Sequence, residues 1–156
     1  MQGINRWIVV VLVIAVLPGA ANAGGGKSIG KESGIVPAHL ESISGSDIKK
    51  VTFTADAAKR VGIVLDAVTE AQVPPTRRGE GQVTRNVVPY ASVIYTPDGR
   101  EWVYTVPAEL TYVRHKIAIA YIKGDMVVLT EGPAAGTRIV TTGAAEVYGT
   151  EFEVGH

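Results

Sequence analysis

The chain has no cysteine and a single methionine, Met126, beyond Met1. The first absence excludes a disulfide framework and a thiolate zinc site. It also removes the residue at which an exported lipoprotein would be cut and lipidated. The second excludes a methionine-rich copper site. The three histidines, His39, His115 and His156, fall at no metal-ligand spacing. Neither sign of charge is in excess, with Lys+Arg and Asp+Glu at 15 each in 156 residues. No global field therefore draws the chain to nucleic acid or to an anionic membrane. No heptad run occurs anywhere, so the sequence holds no coiled coil.

Catalytic signatures are missing as well. Glu131, Glu146, Glu151 and Glu153 are scattered through turns and the tail, where the plain reading of each is solubility. Ser92 lies in "ASVIY", not in a G-x-S-x-G elbow. His115 follows Arg114 without a nucleophile close in sequence. The "GGG" and "GEG" runs lack the Lys-Ser/Thr that a phosphate loop requires. The tyrosines and tryptophans from Tyr90 to Tyr121 could form a ligand platform, but interleaved with Val and Ile they read as cross-strand packing pairs. The expectation is a non-catalytic protein without cofactor or metal.

What is present is a turn-rich apolar chain: 18 Gly, 8 Pro and 46% apolar residues. That composition favours an all-β domain with minor helix over a helical bundle. Residues 1–23 read as a signal peptide. One charge, Arg6, precedes an apolar run from Trp7 to Leu17, and Ala21-Asn22-Ala23 follows as a small-residue cleavage site. The run is shorter than the ~20 residues that span a bilayer. The alternative is an uncleaved anchor. Loss of Arg6 leaves one more acid than base in residues 24–156.

Residues 24–47, rich in Gly and Ser, are expected to form a flexible leader in which His39 is solvated. The folded β domain is expected over 48–156. A strand at Val51–Phe53 leads to Thr54 as N-cap, a helix over Ala55–Val61 and Gly62 as its C′ residue. A second strand, "IVLDAV", follows. "AQVPPTRRGEGQ" (71–82) reads as a loop. Further strands are expected at 82–88, 90–95, 102–106, 110–114, 117–122, 126–129 and 138–141. In "HKIAIAYIKGD", Ile117, Ile119, Tyr121 and Lys123 share one face, opposite Ala118, Ala120 and Ile122, as in a central strand. "VPYASVIYTPDGREWVYTV" (88–106) predicts a hairpin turning at Asp98-Gly99, with Gly99 at positive φ.

Two of these stretches carry a resemblance. "VTFTADAAKRVGIVLDAV" resembles the start of the folded part of periplasmic adaptor subunits of resistance-nodulation-division efflux pumps (membrane fusion proteins, haemolysin-secretion type). "VVPYASVIYTPDGREWVYTV" and "VRHKIAIAYIKGDMVVLTEGPAAGTRIVTTGA" are similar to their late strands and turns, with the turn positions at Gly124, Asp125, Gly132, Pro133, Gly136 and Gly143. The resemblance implies a small β-barrel or β-roll like the adaptors' membrane-proximal domain, exported to the periplasm or cell envelope. It implies an accessory role in efflux or transmembrane transport, with the inner-membrane pump or its adaptor as partner. Adaptors place a lipoyl-like domain and an α-helical hairpin between the two stretches. Only Glu70 to Gly81 occupies that place here, so the likeness is to a truncated form. The docking rim is then expected around Arg114, His115 and Lys116 and the Gly132, Pro133 and Gly136 turn, because turns at one end of a β domain are free to vary and bind. A small-ligand-binding β domain and a degenerate adaptor remnant are the rival readings.

If the signal peptide is cleaved as read, the intact mass of the protein taken from the cell envelope will correspond to a chain beginning at Gly24. A species that begins at Met1 and resists carbonate extraction would contradict the cleavage site.

Overall fold

The computed structural model describes residues 37–74 and 81–153. The expected signal peptide, the first part of the expected leader and residues 75–80 lie outside the described residues. Among the described residues no helix is long and apolar enough to cross a membrane.

The fold is all-β with two short helices, and the sheet curls into a half-barrel. In chain order the elements are β1 (Ala38–Ser42), β2 (Lys49–Phe53), α1 (Ala55–Val61), β3 (Val64–Ala67), β4 (Thr69–Val73) and β5 (Val83–Pro89). After a 3-10 turn at Tyr90–Ser92 come β6 (Ile94–Tyr95), β7 (Glu101–Ala108), β8 (Thr111–Lys123), β9 (Met126–Glu131), β10 (Arg138–Thr142) and α2 (Ala144–Glu151). All strand pairs are antiparallel, in the order β3-β10-β7-β8-β9-β5-β4, with β2 also on β8, β1 on β2 and β6 on β7.

The 13-residue β8 makes the curl. Its first half pairs with β7 and β2, and its second half with β9. Irregularities at Ala118/Ile119 and Ile119/Tyr121 separate the two regimes. An extra residue on one strand bends it and increases its twist, so the two halves face different layers. The expected break between strands at 110–114 and 117–122 is absent. The pairing with β7 runs through His115 and Lys116 without interruption.

Helix α1 matches its expected bounds because its ends are specified locally. The Thr54 hydroxyl accepts a bond from Ala57 N at 3.2 Å, and Gly62 closes the helix in the left-handed region. Ala57 and Ala58 are buried, small enough to lie close against β2, and join Val51, Phe53, Tyr104, Val140 and Val147 in one core cluster. A second cluster gathers Val68, Val88, Val103, Ile117, Val127, Leu129 and Ile139. Each fully buried side chain of this size stabilises the fold by roughly 1.5–3 kcal/mol.

Several expectations need correction. The leader does not extend to residue 47, because β1 lies within it and pairs with β2 from Ala38↔Phe53 to Ser42↔Lys49. His39 is exposed, but on a strand opposite Thr52 rather than in a tether. The loop expected from residue 71 starts later, since β4 runs to Val73, which is buried against Val87 and Val128. Tyr90–Tyr95 is a helical turn followed by a two-residue strand, with Val93 N donating to Tyr90 O at 3.1 Å. Only one short helix was expected, at Ala55–Val61; a second, α2, follows β10 over Ala144–Glu151.

The hairpin turn is as expected. Gly99 has φ 76°, Gly99 N donates to Thr96 O, and Thr96 N donates to Arg100 O, a three-residue loop closed by a left-handed residue. The Asp98 carboxyl is held down at about 2, first by the Arg100 side chain and then by the Thr96 hydroxyl. Gly143, before α2, has φ 85° and is also crowded: a Cβ there would sit 3.0 Å from Val61 Cγ1 and 3.4 Å from Ile63 Cδ1. At Gly99 a Cβ would meet nothing within 4 Å. Gly99→Ala should therefore cost about 1 kcal/mol from backbone conformation alone. Gly143→Ala should cost about 1–3 kcal/mol more, because packing must also give way. Urea unfolding of the two variants checks the ranking, and equal losses would contradict it.

Candidate functional site

The structure separates the residues expected to form one rim. Directly paired residues share a face, so Trp102, Tyr104, Arg114 and Lys116 project to one side of the β7–β8 pair, and Val103 and His115 to the other. Arg114 is not a rim residue. It is only 3% exposed. The reason is α2, whose Ala144, Val147 and Glu151 recur at i, i+3 and i+7 and are all buried. That spacing brings the Glu151 carboxylate, 1% exposed, to Arg114. Arg114 Nη2 lies 3.2 Å from Glu151 Oε1, and Nε donates to the same oxygen at 3.3 Å.

Glu151 Oε1 also accepts from Lys49 N at 3.1 Å, and its other oxygen accepts from the Tyr104 hydroxyl. Burial pushes the Tyr104 phenol far above its ordinary range, and the carboxylate beside it adds to the effect, so the hydroxyl stays a donor. The guanidinium carbon lies 4.2 Å from the centre of the Trp102 ring and 5.1 Å from that of Phe152. Exposed Asp47 lies 3.7 Å from Nη2. Glu151, read from sequence as a solubilising residue, is thus the acid around which the C-terminal helix is anchored. The helical spacing of residues 144, 147 and 151 was the sequence signal for it.

Of the remaining rim residues, His115 and Pro133 meet in one place, whereas Gly132 lines a different recess with Leu129 to Glu131, and Lys116 and Gly136 line neither. A recess of about 260 Å³ is lined by His115, Pro133, Ala134, Thr137 and the Thr105–Pro107 stretch of β7. Its position follows from Pro107, which has no N–H to give a neighbouring strand. The β7–β8 register slips between Thr105 and Ala108, two pairs along from the regular Val103↔His115 pair. The β9–β10 connection forms the other side. It is held by Asn86 Nδ2 donating to Pro133 O at 2.9 Å, Gly136 N to Val68 O at 2.8 Å and Thr137 N to Ala134 O at 3.1 Å. Pro133 is buried, against the expectation of an exposed turn, whereas His115, Lys116, Gly132 and Gly136 are exposed. Gly124 and Asp125 form the separate β8–β9 turn, where Asp125 O accepts from Tyr90 N at 2.8 Å.

Chemically the recess offers one imidazole against proline, alanine and threonine. Among the described residues His115 has no side-chain hydrogen bond or ion pair, and no cluster of His, Asp or Glu could hold a metal ion. The recess has one polar point in an otherwise weakly polar lining, and the Arg114–Glu151 pair is buried on the other face of the β7–β8 pair. The chain matches no protein-family model and no curated protein sequence.

Removing one member of the pair strands the other charge in the interior. Glu151→Gln and Arg114→Met should each cost about 3–5 kcal/mol, and Tyr104→Phe about 1–2 kcal/mol. The double variant Arg114→Met/Glu151→Met should lose less than the sum of the single losses, since both charges go together. Single losses below about 0.5 kcal/mol, the range of surface substitutions, would contradict the burial of this pair.

Proposed function

We propose that the protein is an exported, adaptor-like, non-catalytic subunit. It docks through the recess at His115 and Pro133 onto an inner-membrane pump of the resistance-nodulation-division type, or onto that pump's adaptor. One observation carries the reading. The two adaptor-like stretches, 51–68 and 87–143, meet in a single sheet, with β2 on β8 and β3 on β10. Residues that resemble two parts of one domain also fold as two parts of one domain.

The recess supports the choice of surface. It combines exposed His115 and a turn tied down at both ends, so a partner would meet a preformed surface. Arg114 takes no part in docking, because its charge is consumed inside the fold.

In-cell crosslinking from a photoreactive residue at His115, under efflux-inducing stress, should capture a pump or adaptor component. His115→Glu should slow association by roughly tenfold at low salt with an unchanged melting temperature, since a charge placed at an exposed rim acts on encounter. Recovery of no envelope transport component would overturn the reading.

A further inference from the structure

A second concave surface lies between α1 and the sheet, independent of the docking reading. It is a groove of about 670 Å³, within the size range of small-ligand sites. Ile63, Leu65, Val106 and Leu110 make it apolar. Leu65 is 38% exposed, and Val64 beside it on the same edge strand is 51% exposed. Leu110 holds φ 56°, a left-handed position that glycine would take without strain. The fold keeps there a side chain that packs against the first core cluster and lines the groove.

Two positive charges stand in the lining, Lys59 of α1 and Arg138 of β10, with Glu109 as the one acid. Lys59 and Arg138 are exposed, and among the described residues neither belongs to an ion pair. An apolar trough with an excess of unpaired positive charge suits a ligand with an aliphatic body and an anionic head. A peptide suits it less well. Its buried backbone groups would need partners, and beyond the charged side chains the lining offers only the Tyr112 phenol among aliphatic side chains.

We propose that this groove binds a single-chain aliphatic carboxylate. The chain lies along Leu65, Val106 and Leu110, and the carboxylate pairs with Lys59 and Arg138. The test is calorimetric titration of the protein purified from its host with decanoate, decan-1-ol and acetate, each below its aggregation concentration. Decanoate should bind saturably at one site, more tightly than decan-1-ol, and acetate should not bind. Lys59→Gln/Arg138→Gln should weaken decanoate by about five- to tenfold at an unchanged melting temperature, the loss expected for two exposed charge contacts. Leu65→Ser, at an exposed site, should weaken decanoate and decan-1-ol alike. Absence of saturable decanoate binding, equal affinity for the alcohol, or an unchanged affinity in the double variant would each overturn the proposal. So would concentration-dependent dimerisation abolished by Leu65→Ser, which would assign the groove to a second copy.

Discussion

Removing β8 would leave three disconnected ribbons. One would hold β1 and β2; another β6, β7, β10 and β3; the last β9, β5 and β4. The three ribbons pair with one another only through this one 13-residue element, and both adaptor-like stretches contribute to its neighbours. A strand with that duty cannot be flat. Its irregularities at Ala118–Tyr121 let one chain serve two sheet directions, which is how a small sheet closes part of a barrel without a long loop. β8 also carries Arg114 and His115 on opposite faces, so one strand supplies both the buried charge and the exposed imidazole.

The buried charge is the costly part of this arrangement. Taking a guanidinium and a carboxylate out of water is unfavourable by several kcal/mol per ion even after relaxation. The surroundings offset that cost with three donors on Glu151 and two aromatic rings near Arg114. An apolar pair of the same shape could be as stable. What the ion pair adds is a register: α2 has one position in which Glu151 meets Arg114, Tyr104 and the Lys49 amide together. Its Gly143 N-cap makes no side-chain bond, so the helix has little of its own to fix its placement.

The sequence disclosed most where structure is decided within a few residues. Thr54, Gly62 and the Asp98-Gly99 turn act on neighbouring backbone, and α1 and the hairpin fell where they were expected. It disclosed least where the deciding partner is remote. β1 has no period of its own, and becomes a strand because β2 offers it an edge. Arg114 looked like a surface cation because Lys116 and His115 flank it, and only a residue 37 positions later draws it inside. Pro133 looked like an exposed turn, but it is buried beside Pro107 with its carbonyl bonded to Asn86, 47 positions earlier. Of the expected rim, His115, Lys116 and the turn glycines could be read locally, whereas the inward turn of Arg114 depends on tertiary structure.

The slip in β7 also relates the two concave surfaces to each other. Val106 lines both the His115 recess and the groove beside α1, because the lost register at Val106–Pro107 leaves β7 unpaired on β8 there. A strand in perfect register would have closed one of these surfaces against its neighbour. Val106 nevertheless stays anchored, only 6% exposed and packed with Tyr104 and Tyr112. The bulge is thus held by a core contact rather than left loose. The bulged stretch of β7, held at Val106 in the core, therefore borders both openings, and Pro107, which has no N–H to pair, lies beside it.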